Sequence, residues 1–231
     1  VKEGDKFSYD YYAHIRQAQV WALYGFNIGG FAMEVGGEIG YSGMWRQGLM
    51  RKGLFAEGNE SFGDSKHLDY LTYKVKGNFS YRFSGAHSLA ANVALIQDAP
   101  TFQTAFVSPR TRNQVNPGLK ANTIFSAELT YNLNLPYIKA RVSGYYTKMN
   151  DLAKVISFYD DTQSSYTNFA MTGIDKRYYG VELGLDVPIW NGLSLRSAIS
   201  WGRYQYTSNP NFVQIVDNSA DVKLIDKVYW K

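Results

Sequence analysis

Between Tyr70 and Phe83 apolar and polar residues alternate one for one. Leu71, Tyr73, Val75, Gly77, Phe79, Tyr81 and Phe83 fall on one side, and Thr72, Lys74, Lys76, Asn78, Ser80 and Arg82 on the other. Successive side chains of a strand point to opposite faces, so the spacing predicts a strand with one apolar face. Wound as a helix, the same residues would scatter Lys and Phe around every side and leave no stripe to bury. The pattern recurs from Phe31 to Trp45, where Phe31, Met33, Val35, Ile39, Tyr41 and Trp45 oppose Glu34, Glu38 and Ser42. From Asn122 to Leu133, Phe125, Ala127, Leu129, Tyr131 and Leu133 oppose Ser126, Glu128, Thr130 and Asn132. Ile138, Ala140, Val142 and Tyr146 oppose Lys139, Arg141, Ser143 and Thr147; Tyr179, Val181, Leu183, Leu185 and Val187 oppose Glu182, Gly184 and Asp186. Leu193, Leu195, Ile199 and Trp201 continue the series. Two weaker members complete it: Gln17 to Phe26, whose alternation is blurred by Trp21 and Leu23, and Ser88 to Ile96. The total is about eight strands.

The connections sort themselves. Short turns fall at Asn27-Ile28-Gly29-Gly30, Ser84-Gly85-Ala86-His87, Asn134-Leu135-Pro136 and Trp190-Asn191-Gly192, each with the Gly, Asn or Pro that tight turns require. Long polar connections over 47–67 and 98–121, and a shorter one around Asp160 to Ser165, lie between them. In an up-and-down antiparallel sheet this places every short turn at one rim and every long loop at the other, as in outer-membrane barrels. Several strands run about 12 to 16 residues, beyond the usual globular length and beyond the nine to eleven that cross a bilayer. After Tyr206, Asn209-Pro210-Asn211 is expected to open another long loop, and Val222 to Trp230 to begin a further strand. Eight strands can close a small barrel, yet this unfinished end, and a start at Val1-Lys2-Glu3-Gly4 with neither initiator Met nor signal peptide, point to an internal piece. Residues 1–231 are expected to be a single segment of a larger barrel, without a plug domain.

Alternation alone does not say which face looks to lipid. The polar faces carry Glu34, Glu38, Lys74, Lys76, Arg82, Glu128, Lys139, Arg141, Glu182, Asp186 and Arg196, too many charges to pack inside a small closed barrel. They suit a wet lumen, with both signs present for pairing. Composition agrees: 16% of the chain is aromatic, with 19 Tyr and 5 Trp, rings that favour pleated surfaces and membrane interfaces. No apolar run is long enough for a transmembrane helix, which leaves a barrel open because its strands alternate. The formal net charge of +4 is spread along the chain with no basic block, so no nucleic-acid partner is indicated. Without cysteine there is no disulfide and no thiolate ligand or nucleophile. The rival architecture is a soluble or surface-attached β-rich binding module, with glycans as a candidate ligand, using exposed Tyr and Trp.

Few residues suggest chemistry. Glu34 and Glu38, like Glu182 and Asp186, stand four residues apart on one strand face, hence about 13 Å, too far for a glycosidase pair. His14, His67 and His87 share no ligand spacing. Tyr41-Ser42-Gly43 lacks the first glycine of a nucleophile elbow, and glycines 36, 37, 40 and 43 suit strand curvature better than a phosphate cradle. No catalytic residue, metal or cofactor is expected, and the chain does not read as an enzyme. In the loops, Arg51 and Lys52, or Arg110 and Arg112, are candidate contacts for lipopolysaccharide phosphates or an anionic substrate. Asp160-Asp161 offers oxygen ligands of the kind that hold Ca²⁺.

Residues Asn122 to Asn211 resemble the barrel of TonB-dependent receptors, particularly those of Bacteroides-like bacteria. The likeness rests on Val142-Ser143-Gly144-Tyr145-Tyr146-Thr147-Lys148-Met149-Asn150-Asp151, an upward strand closing on an aromatic pair and Asn-Asp. The return strand has Gly173-Ile174-Asp175-Lys176-Arg177-Tyr178-Tyr179-Gly180-Val181-Glu182-Leu183, then Pro188 before the turn at Asn191-Gly192. About 90 residues carry the resemblance well and the first 120 carry it by general pattern. It implies an all-β, antiparallel, up-and-down transmembrane β-barrel of about 22 strands. It also implies an amino-terminal plug, a place in the bacterial outer membrane among lipid and lipopolysaccharide, and nutrient uptake driven by the TonB complex through the plug. The plug and the TonB-contacting segment have no match here, so no gating or substrate-binding residue carries over.

Overall fold

A computed structural model of the chain describes residues 2–3 and 6–225. Its elements are β1 (Tyr11–Ile28), β2 (Phe31–Gly48), β3 (Gly63–Asp64), β4 (Leu68–Arg82), β5 (His87–Asp98), α1 (Phe102–Ala105), β6 (Asn122–Leu135), β7 (Ile138–Asp160), β8 (Ser165–Trp190), β9 (Leu193–Tyr206), β10 (Asn211–Val216) and β11 (Val222–Ile225). They form one sheet in the order β1-β2-β4-β5-β6-β7-β8-β10-β11, with β3 on β2 and β9 on β8. Every pairing is antiparallel. Neighbours in sequence are neighbours in space, so the topology is a meander. Among the described residues β1 and β11 each have one neighbour, which leaves the sheet open. The strand expected over Val222 to Trp230 is present as Val222–Ile225; the remainder lies outside the described residues.

The eight strands read from alternation are β1, β2, β4, β5, β6, β7, β8 and β9, and their register keeps each face consistent. One cross-strand row runs Ile28, Phe31, Tyr81, Leu89, Tyr131, Val142, Leu183, Ile199. All eight side chains are apolar or aromatic, and a slip of one residue in any pair would turn that strand inside out. Much of this face is uncovered: Leu129, Val181, Ile199 and Trp201 are exposed at 52%, 48%, 61% and 62%. The short turns at one rim are tight: Gly29-Gly30, Pro136-Tyr137 and Asn191-Gly192 each join two strands directly. Gly192 supplies the left-handed φ of 78° that a two-residue hairpin turn demands.

Two sequence expectations are corrected at the other rim. Asn209-Pro210-Asn211 does not open a long loop. β9 and β10 lie end to end along β8, with Tyr206 opposite Lys176 and Asn211 opposite Thr172. Thr207 to Pro210 therefore face Gly173 to Asp175, one residue more on one side, which is a bulge in a single long strand. The Thr207 amide donates to the Asp175 carbonyl (2.9 Å). The Ser208 hydroxyl donates to the Gly173 carbonyl and accepts the Asp175 amide, both at 2.7 Å, so the backbone stays satisfied around a proline. The β7–β8 register slips at the same level, where Asp151 takes a φ of 57° and its amide donates to Asp175 Oδ1 (2.9 Å).

The second correction concerns 98–121, which is not a polar excursion. It folds back onto the sheet: Phe102, Ala105 and Phe106 bury against Met44 and Leu68, and Val107 against Ala170, Val213 and Ile215. A four-residue helix such as α1 has no stability of its own; burial of Phe102, and of Phe106 just beyond it, about 1.5 to 3 kcal/mol each, holds it. Above the bulges β7 and β8 continue as a tall hairpin closed by 161–164.

Candidate substrate path and outer collar

The second face of the sheet gathers the eleven charged residues singled out in the sequence. Glu34 and Glu38 on β2, Lys74, Lys76 and Arg82 on β4, and Glu128 on β6 share it with Lys139, Arg141, Glu182, Asp186 and Arg196 on β7 to β9. Register pairs several of them. Glu38 stands opposite Lys74 and bonds it at 2.9 Å; Asp186 stands between Lys139 and Arg196 and takes Arg196 Nε at 3.2 Å. Glu128 meets Arg141 diagonally at 3.4 Å and accepts the Thr130 hydroxyl at 2.8 Å, while Thr130 and Ser143 share a hydrogen bond of 2.8 Å. Glu34 faces Asn78, Lys76 faces Gly36 and Ala94, Arg82 faces Ser88, and Glu182 faces Ser143. Such half-exposed pairs contribute at most about 1 kcal/mol each to stability, so they tune the potential of a wet surface more than they hold the wall together.

Trp21 and Leu23, which blur the alternation of β1, belong to this polar face. With Glu34, Glu38, Lys74 and Lys76 they line a hollow of about 450 Å³. A Cβ on Gly36 would sit 3.1 Å from Leu23 Cδ1, so glycine floors the hollow. Further round, the Tyr145 hydroxyl bonds the Tyr204 hydroxyl at 2.7 Å. Its ring lies over two glycines on neighbouring strands. A Cβ at Gly180 would come 2.7 Å from that hydroxyl, and one at Gly202 2.6 Å. Sequence reading missed both features. An aromatic residue breaking the polar series, with glycines at the same register on the next strands, is the signal that finds them.

At the long-loop rim two arginines build a collar. Arg46, 1% exposed, donates from Nε to the Pro109 carbonyl (2.6 Å) and from Nη1 to the Ser61 carbonyl (2.8 Å) and Asn113 Oδ1 (2.5 Å), with its guanidinium 5.0 Å from the Tyr11 ring centre. It ties 49–67 to 99–121. Arg112 donates to the Val216 and Ser219 carbonyls (3.0 and 2.9 Å) and stacks 3.7 Å from the Phe55 ring centre. It ties 99–121 to the β10–β11 turn. Burial pulls the Arg112 guanidinium down to about 10, with Asp217 and Glu60 opposing. Among the described residues no group of three or more His, Cys, Asp or Glu is placed to hold a metal ion.

The model of the family described as TonB dependent receptor-like, beta-barrel matches residues 9–224. The chain belongs to that family. Among solved structures it is similar to the copper transporter OprC, with a TM-score of 0.62 and 14% identity over 93% of this chain and 37% of that one. At that identity the likeness is one of fold, and the chain spans 37% of that transporter's length. No curated protein sequence matches it.

In this TonB-dependent receptor barrel of the outer membrane the loop cations have separate fates. Arg112 does not stand out as an exposed grip for anions: at 4% exposure its Nη2 is spent on carbonyls, because the loop that carries it packs inward. Lys52 bonds the Ser8 carbonyl, and Arg51 the Ala56 carbonyl, with its guanidinium 5.3 Å from the Phe62 ring centre. The Arg110 guanidinium lies 5.0 Å from the Tyr166 ring centre. Asp160 caps its own turn: the Thr162 hydroxyl, and after it the Thr162 and Gln163 amides, hold its carboxyl below the usual range. His14 and His67, unrelated in sequence, stack on opposite faces of Trp45 at 4.6 and 4.5 Å.

Proposed function

We propose that this segment is the wall of an outer-membrane importer that takes up a scarce nutrient, powered by the TonB complex through a plug domain. The observation that carries the reading is the two-faced sheet. One face is a continuous apolar row across eight strands; the other bears eleven charged residues, six of them joined in ion pairs. The apolar face meets lipid, and the charged face lines the path past which substrate and plug move. The collar stands at the outer mouth, where Arg46 and Arg112 fix the loops that a ligand passes first. Exposed Ile199 and Trp201 weigh against a soluble binding module, whose apolar face would be buried in a core.

The test uses the full-length receptor in cells. Uptake of its nutrient is expected to fall to background when TonB is deleted, and a polar thiol reagent is expected to label Ser200→Cys, exposed on the charged face opposite Glu182, but spare Ile199→Cys on the apolar face. TonB-independent uptake, or equal labelling at both positions, sinks the reading.

A further inference from the structure

The apolar face ends in three cations. Lys148 on β7 stands directly opposite Arg177 on β8, and Arg203 on β9, opposite Tyr179, is diagonal to Arg177. Opposed side chains have Cβ atoms about 4.5 to 5.5 Å apart and diagonal ones about 7 to 8 Å, and like charges so placed repel. None of the three is in an ion pair among the described residues. The carboxylate next along this face, Asp175, uses Oδ1 to accept the Asp151 amide. Arg177 Nε is buried with no hydrogen-bond partner, although its guanidinium lies 6.0 Å from the Tyr179 ring centre. An unopposed cluster on a sheet is a structural cost that an anion would remove.

The order of residues along the same face says which anion. Along each strand from the short-turn rim upward the order is aliphatic, aromatic, cation: Val142, Tyr146, Lys148 on β7; Leu183, Tyr179, Arg177 on β8; and Ile199, Trp201, Arg203 on β9. Hydrocarbon, interface and headgroup follow one another in that sequence across a leaflet. We propose that Lys148, Arg177 and Arg203 bind the phosphate of a lipid in the leaflet at the long-loop rim, a phosphomonoester-bearing headgroup whose acyl chains lie on the apolar face below. Arg supplies a planar fork of donors and Lys a point charge, the combination that suits a phosphate. The inference rests on the reading that this face meets lipid.

The full-length receptor, purified and delipidated in non-ionic detergent, is titrated with lipid A or with inorganic phosphate while its melting temperature and retained lipid are measured. Lipid A is expected to raise the melting temperature where the same concentration of inorganic phosphate does not. The triple variant Lys148→Gln, Arg177→Gln, Arg203→Gln is expected to hold lipid A roughly a hundredfold less tightly. Lys148→Gln alone, an exposed position that folding tolerates, is expected to change sign: stabilising in phosphate-free detergent, destabilising with lipid A. Unaltered lipid A binding by the triple variant, an equal shift with inorganic phosphate, or one sign of Lys148→Gln in both media overturns the proposal. A nitroxide attached through Ile199→Cys separates the two layers of inference. Relaxation by a water-soluble nickel chelate rather than oxygen defeats the lipid-face reading itself; relaxation by oxygen with lipid A binding unaltered in the triple variant defeats only the phosphate site.

Discussion

Replacing Arg46 by Met removes the tie between the two long loops while keeping most of the side-chain volume. Three acceptors lose their donor, the Ser61 and Pro109 carbonyls and Asn113 Oδ1, around a side chain that is itself 1% exposed. A buried acceptor left unpaired costs about 1 to 3 kcal/mol, and relief of the buried charge offsets part of the sum, so the collar is expected to loosen by about 3 kcal/mol. Local opening then becomes roughly a hundredfold more frequent. Hydrogen exchange on the full-length receptor reads this directly. The amides of Ser65, Asn113 and Asn116, which donate to Arg46, Glu60 and Ala105, are expected to lose that much protection, while amides of 73–81 in β4 keep theirs. Unchanged protection at Asn113 and Asn116, or equal loss in β4, would refute the argument that Arg46 is the local tie.

Gly180→Val places a side chain against the Tyr145 hydroxyl and the Trp201 carbonyl, and overpacking there is expected to cost about 1 to 3 kcal/mol, seen as a lower temperature for loss of the compact barrel on gels. Glu38→Gln, Lys74→Gln and their double variant form a cycle whose coupling is expected below about 1 kcal/mol, because both side chains are partly solvated. Asp160 has a folded pKa below its unfolded value. Its contribution is therefore present above the ordinary carboxylate range and lost as pH falls through the depressed folded value; exchange at the Thr162 amide, corrected for intrinsic rate, is expected to rise in that acid window and to be high at all pH values in Asp160→Ala.

Alternation made the lower wall legible because there one face is uncovered and the other polar, so polarity tracks position residue by residue. That is why Phe31 pairs with Tyr81 and Val142 with Leu183 in the register that the pattern requires. Higher up the relation fails. Thr167, Asn168, Ala170 and Thr172 on β8 are all buried, polar and apolar together, since 99–121 and β10 pack against that part of the strand. No period survives in such a stretch. Asn209-Pro210 reads as a loop opening by turn chemistry, yet Ser208 supplies the hydrogen bonds that make it a bulge. Arg112 reads as an exposed loop cation because nothing in its neighbours announces that Phe55 and the Val216 carbonyl will enclose it. These pairings are long-range, and local pattern carries no information about them.

β8 spans 26 residues, about 85 Å of extended chain, while a bilayer core is about 30 Å thick. Much of β7 and β8, with the collar beside them, therefore stands beyond the membrane on the side opposite the short turns. Phe102, Phe106, Arg46 and Arg112 find their partners only among these upper strands and loops, so a chain stalled with those segments short of the far side is expected to have a complete lower wall with an open, protease-sensitive mouth.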